Sequence, residues 1–300
     1  MEGCVTGDRL TWVERLRSHT GRCSLRDHRN ACWETGTFPW KCLSMNLSAE
    51  LIESDGRYFE LGAQVETIDG AVIAWVPGFV DLAAGCVVQR VNPALMSMDH
   101  ERWLPHVERR LRSLGASWSR IYLDQPHDSL EQALGKAGYR RRVELGFITT
   151  VAPAVQTSAV CLRPVHDNQD WDWKAQLHAD DKPGADGYRH DPGRWVTLMQ
   201  IKAATGLKEP YLIEHGDDAL GEVAVMDMEQ IMRVKNLFIA PKARGRGLGA
   251  AAIGLVWDEA KRRGKHGIGV LGIEGSSGAR LYHRCGLQVA AQLVEWSRRL

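Results

Sequence analysis

The sequence predicts an α/β fold of the mixed-sheet, α+β kind, in two related halves, each a twisted mixed β-sheet flanked by helices. Three observations carry this expectation. Apolar residues switch along the chain between strand-like alternation and the three- and four-residue spacing of amphipathic helices. The order helix, strand, helix, strand occurs near residues 99–151 and again in the last hundred residues. Aligning Gly115 with Gly264 also places Gly138 opposite Gly286 to within one residue, so the glycine stops of the two halves correspond.

The elements follow in order. The first 44 residues hold four of the seven cysteines and repeat a His-x-x-x-Cys spacing at His19/Cys23 and His28/Cys32. That spacing departs from the short Cys-x-x-Cys knuckle of zinc sites, and no apolar period surrounds it. A loosely ordered extension is expected there, with translation starting at Met45 as another account, and no metal is expected. "RYFELGAQVETI" and "AVIAWVPGFV" read as strands between Asp-Gly turn signals. "SMDHERWLPHVERRLRSLG" reads as a helix, with Trp103, Val107, Leu111 and Leu114 on one face, an Asp99 cap and a Gly115 stop. "SRIYLD", "SLEQALGKAGY" and "RRVELGFITTVA" follow as strand, helix and returning strand. A seam is expected in "TVAPAVQTSA", giving an extension at 1–44, a first domain at 45–154 and a second at 159–300. In the second half, Gly249 to Arg263 reads as a helix with Ile253, Val256, Trp257 and Ala260 inward. "GIGVLGIE", "SSGARLYHRCG" and "LQVAAQLVEW" complete the repeat.

Composition narrows the function classes. The chain has 300 residues, 44% apolar and 25% charged, and a formal net charge of +1, which gives no global attraction to nucleic acid or to an anionic membrane. The run "AVIAWVPGFV" is far short of a bilayer span, and "MEGCVTGDRLTW" lacks the apolar core of a signal peptide. The expectation is a cytoplasmic protein with reduced thiols, no nucleic-acid or membrane partner, and a homodimer as one oligomeric option.

The most informative stretch is "NLFIAPKARGRGLGAAAIGLVWDEAKRRG". A helix N-terminus carries unpaired N–H groups and partial positive charge, so it attracts phosphate. Gly245, Gly247 and Gly249 remove the β-carbons that would keep an anion from those amides, and Lys242, Arg244 and Arg246 add cationic donors. The spacing is neither that of a dinucleotide-binding turn nor that of a phosphate loop ending in Lys-Ser/Thr.

This arrangement resembles the Gcn5-related N-acetyltransferase (GNAT) family. The family signature, Arg or Gln, two residues, Gly, one residue, then Gly or Ala, is met by Arg244, Gly247 and Gly249. A second element, Asn-x-x-Ala-x-x-Leu-Tyr before Gly-Phe, is echoed in "GSSGARLYHRCGL": Leu281, Tyr282 and Gly286 match, whereas Gly275, Gly278 and Leu287 depart. The likeness covers roughly residues 159 to 300. It implies acetyl-CoA as co-substrate, with the pyrophosphate on the amides of Gly245, Arg246, Leu248 and Ala250 together with Gly247 and Gly249. The edge of Leu237, Phe238 and Ile239 would pair with the pantetheine arm, and an N–H near Leu237 would polarise the thioester carbonyl.

The resemblance further implies transfer of an acetyl group to a primary amine of a small molecule or peptide, with Tyr282 as the acid for the departing thiolate. Arg233 stands where several members place a glutamate. Asp227, with Glu222 and Glu229 beside it on the same hairpin, is therefore the candidate base, acting through water. "DWDWKAQLHADDKPGADGYRHDPGRW" is expected to shape the acceptor site, with Trp171, Trp173, Tyr188 and Trp195 as lining and Asp180, Asp181, Asp186 and Asp191 drawing a cationic amine. His190 is a candidate relay. The first half has "RVNPALMSMDHERW" in place of the glycine turn and Leu134 in place of Tyr282, which implies a degenerate copy. The missing glutamate motivates an alternative: a non-catalytic acyl-CoA-binding regulatory or scaffolding protein.

Overall fold

A computed structural model describes the backbone of residues 39–97, 99–155, 160–179 and 191–300, with side chains from residue 47 onward. The paired His19, Cys23, His28 and Cys32 lie outside the described residues, as do Asp180, Asp181, Asp186, Tyr188 and His190. The chain divides into compact units at 1–44 and 45–300, and the second holds every strand found among the described residues.

This unit opens within helix α1 (Pro39–Glu60). Residues 57–60, read from sequence as the start of a strand, are its last turn: Tyr58 and Phe59 are buried on consecutive positions by helix packing, where a half-buried strand would expose one of them. Strands β1 (Gln64–Ile68), β2 (Ala71–Trp75) and β3 (Cys86–Gln89) form an antiparallel meander. Helix α2 (His100–Ser113) leads to β4 (Trp118–Leu123), parallel to β3, and α3 (Asp128–Lys136) leads to β5 (Arg140–Thr149). After β6 (Cys161–Pro164), α4 (Asn168–Ala179) and α5 (Pro192–Ala203), the plan recurs. The meander is β7 (Lys208–His215), β8 (Asp218–Asp227) and β9 (Ile231–Ile239). It is followed by α6 (Leu248–Arg262), β10 (Gly267–Ile273), α7 (Ser277–Arg284) and β11 (Gln288–Arg299). Strand β3, a short and fully buried run behind a turn-rich stretch, is not anticipated by the sequence pattern.

The repeat is visible in backbone detail. Gly115 and Gly264, and Gly138 and Gly286, all have positive φ, between 72° and 85°, where a β-carbon would strain the chain. Each ends a helix and turns the chain into the next strand.

The eleven strands of the described residues form one sheet in the order β1-β2-β3-β4-β11-β5-β10-β9-β8-β7-β6. At its centre the halves exchange their last strands. Strand β11 pairs with β4 (Val294 opposite Leu123), while β5 pairs with β10 (Phe147 opposite Val270) and with β11. Side chains alternate between faces: Ile231 of β9 joins a core with Leu51 and Tyr58 of α1 and Met199 of α5, whereas Met232 and Val234 pack with Ile253 and Val256 of α6 and Tyr282 of α7. Among the described residues no helix is long and apolar enough to cross a membrane.

Candidate functional site

The site begins with a fork in the sheet. Strands β9 and β10 pair in parallel only from Ile231–Val234 to Gly267–Val270; beyond that, β10 keeps β5 and β9 keeps β8. From Lys235 to Ile239, the edge of β9 towards β10 has no strand partner among the described residues. A β-bulge starts the divergence. Glu222 opposes Phe238 and Ala224 opposes Lys235, so Asn236 and Leu237 together face Val223, and Asn236 sits at φ 53°. Asn236 Oδ1 is buried at the fork with no hydrogen-bond partner among the described residues, an acceptor the protein leaves unsatisfied.

The edge runs directly into the glycine turn. Gly245 (φ 81°) and Gly247 (φ 79°) occupy the left-handed region, and a β-carbon on either would meet nothing within 4 Å. Open space therefore lies before them, and Gly247 caps α6 without any side chain bonding to the first-turn amides. Gly249 serves packing: a β-carbon there would come within 3.0 Å of Leu281 Cδ2 on α7. Arg244 lies over the Phe238 ring at 5.4 Å and donates from Nε to the Ile239 carbonyl at 3.0 Å. Lys242 and Arg246 are exposed beside the same turn. An uncapped, positively polarised helix end with open space before it suits a diphosphate.

The matching places in the first half are closed. Asp99 Oδ1 accepts from Arg102 N at 2.9 Å and so caps α2 with a carboxylate; Asn92 accepts from Ala94 N. Arg90, at φ 51° in the position corresponding to Asn236, is bound to Glu53 and Glu60 at 2.7 and 2.8 Å. Leu134 is fully buried.

Tyr282 packs beneath the other arm of the fork. Its ring lies 5.5 Å from that of Phe147, and a β-carbon on Gly272 of β10 would come within 3.0 Å of it. Burial pushes its hydroxyl up to about 12, against a smaller opposing pull from Arg233, so it keeps its proton through neutral pH.

The three candidate acids fare differently. Glu222, expected beside Asp227 as a base acting through water, is 1% exposed. It is ion-paired with Lys174 and lies 3.0 Å from His178 Nε2. Burial alone would raise its carboxyl, but Lys174 and His178 outweigh that and hold it at about 2. Asp227 is not brought to the fork. It pairs with Lys265 and, at 3.1 Å, with Arg263, beyond the C-terminal end of α6. Helix α6 has 15 residues, about 22 Å of length, and the glycine turn is at its other end. Burial pushes the Asp227 carboxyl up, yet the two cations leave it lowered overall. Glu229 is exposed in the β8–β9 turn at that same far end. Neither supplies a base beside Leu237.

Arg233 is buried and clamped from α1, with Nε on Ser54 Oγ at 3.1 Å and Nη2 on Asp55 Oδ1 at 3.2 Å; Lys235 reaches the same Asp55 oxygen at 2.5 Å. Burial would raise Asp55, but Lys235 and Arg233 leave it lowered. Glu144 of β5, opposite Ile273 of β10, is driven up to about 7 by burial and by Asp55. Of the expected acceptor residues, Trp171 and Trp195 are half-buried against the α1 core, Trp173 is exposed, and Asp191 caps α5 by accepting from Arg194 N at 3.1 Å. Sequence reasoning missed Asp55, Glu144, Lys174 and His178. The only local signal was the four-residue spacing of Lys174 and His178, which puts them on one face of a helix.

Residues 170–287 match the model of the Acetyltransferase (GNAT) family. That segment is similar to the domains of this family. Solved structures agree in fold. A GCN5-related N-acetyltransferase from Kribbella flavida aligns at 14% identity with a TM-score of 0.58, covering 83% of this chain and 95% of its own. A functionally unknown conserved protein from Staphylococcus epidermidis aligns at 9% identity and TM-score 0.60, covering 80% and 95%. A tandem GNAT protein from the clavulanic acid biosynthesis pathway aligns at 9% identity and TM-score 0.52, covering 76% and 78%. No curated protein matches the chain in sequence.

Proposed function

We propose that the protein is an acetyl-CoA-dependent N-acetyltransferase whose acceptor is a primary amine of a small molecule or peptide. The observation that carries this reading is the continuity of the unpaired β9 edge with the uncapped, glycine-lined start of α6. The amides from Gly245 to Ala250, with Arg246 beside them, would hold the diphosphate. Leu237, Phe238 and Ile239 would offer their peptide groups to the pantetheine arm as an added strand does. The amide near Leu237 would donate to the thioester carbonyl, most strongly as negative charge develops on it. Attack of the neutral amine nitrogen forms the C–N bond and breaks the C–S bond, and Tyr282 would deliver its proton to the thiolate. The capped α2 and the Arg90 ion pairs support the first half as a degenerate copy that contributes structure.

The test is thiol release from acetyl-CoA with a panel of amines, beside calorimetry of acetyl-CoA binding. Turnover that falls steeply in Tyr282→Phe with binding intact supports the enzyme. Tight binding with no release above background for any amine would instead establish the acyl-CoA-binding module that the buried Arg233 motivates.

A further inference from the structure

The proposed reaction needs a group to take the proton of the attacking amine, and Asp227 and Glu229 lie at the far end of α6. We infer that His178 accepts that proton and that Glu222, locked by Lys174, is the residue that positions it. This rests on the acetyl-transfer reading.

Helix α4 sets Lys174 and His178 one turn apart above β8, where both reach the Glu222 carboxylate. A carboxylate only accepts hydrogen bonds, so the 3.0 Å contact assigns the hydrogen to His178 Nε2 and leaves Nδ1 as the basic nitrogen. The imidazole also stacks on Phe238 at 4.3 Å with planes 26° apart. Phe238 belongs to the unpaired edge, one residue beyond the bulge, so the ring is held beside the fork with 14% of its side chain accessible. The three side chains form a relay: a buried cation fixes a carboxylate, the carboxylate fixes a tautomer, and the imidazole faces the edge. Lys208 of β7 adds a further charge near Glu222 and Lys174, with burial pushing it down to about 7, and Arg244 lies over the same Phe238 ring. In the balanced step the amine nitrogen bonds to the acetyl carbon and its proton passes to His178 Nδ1. The C–S bond breaks, the thiolate takes the Tyr282 proton, and both side chains then re-equilibrate with solvent.

The experiment measures thiol release by the full chain with spermidine, tyramine, glucosamine and a lysine peptide, for wild type, His178→Gln, His178→Gly and Glu144→Gln. The expected result is a kcat loss of about 100-fold or more in His178→Gln with the KM for acetyl-CoA nearly unchanged. The ascending limb of the kcat/KM profile against pH should vanish in that variant, and added imidazole should restore turnover in His178→Gly. A His178→Gln protein that keeps its rate and its limb, or a limb that disappears in Glu144→Gln instead, overturns the assignment and leaves the acetyl-transfer reading standing. Wild type that binds acetyl-CoA but releases thiol to none of the four amines overturns both.

Discussion

Substituting Gly247 by alanine isolates the anion cradle from ordinary backbone strain, because the same helix carries its own control. Gly247 precedes α6 at φ 79° and Gly264 follows it at φ 72°, and a β-carbon at either would meet no protein atom within 4 Å. An L-residue in that region costs about 1–2 kcal/mol, so both Gly247→Ala and Gly264→Ala should destabilise the protein alike. For a unit of this size each kcal/mol lowers Tm by about 2–4 °C. The variants should part company in cofactor affinity. At Gly247 the new methyl group enters the space in front of the first-turn amides. Losing one hydrogen bond to a charged group costs about 1.5–3 kcal/mol, or about a 10- to 150-fold rise in Kd. At Gly264, beyond the opposite end of α6, the acetyl-CoA Kd should stay at the wild-type value. Calorimetric titration of the three proteins measures both effects. If the two variants bind acetyl-CoA within about twofold of each other while losing similar Tm, the glycine turn is only a turn.

Tyr282→Phe should lower kcat by about 10²- to 10⁴-fold with acetyl-CoA affinity unchanged. Because burial holds the hydroxyl near 12, the wild-type rate should show no alkaline fall from this residue below that pH. Glu222→Gln leaves Lys174 buried without its counter-charge and should cost about 3–5 kcal/mol in urea unfolding at neutral pH. The folded carboxylate titrates near 2 against an ordinary 4.5. Its contribution is thus fully present above 4.5 and lost as pH falls towards 2, and stability of Glu222→Gln should be flatter across that window. A fragment of residues 156–300 lacks β5 and leaves β10 and β11 without their shared neighbour; it should aggregate on expression and become soluble when co-expressed with residues 45–155. A soluble, cooperatively unfolding fragment would contradict the exchange.

What was legible in the sequence was local. The Gly245–Gly249 turn, the inward face of α6 and the Asp99 cap depend on residues within a few positions of one another, and each appears where its spacing places it. The four helix-ending glycines are legible for the same reason. The burial of Glu222 in an ion pair was not legible because its partners Lys174 and His178 lie more than forty residues upstream. Asp227 was misread because its position along β8 relative to the fork depends on where the bulge falls. The bulge is created by Asn236, a residue whose positive φ the sequence only permits. The exchange of β5 and β11 is also non-local, since either strand satisfies the same alternation beside β4 or β10.

That exchange dictates an order of assembly. Strand β4 has β11 as its neighbour on one side, so the slot beside residues 118–123 is filled by a segment synthesised about 170 residues later. Strand β5 must likewise wait for β10 and β11 before both its edges are covered. During translation the first half therefore presents bare ladder groups that its own residues do not cover, a state open to wrong pairing with other chains. Native closure becomes available only once residue 299 has left the ribosome, and the slow step of folding should be the threading of β11 into a gap already framed by β4 and β5.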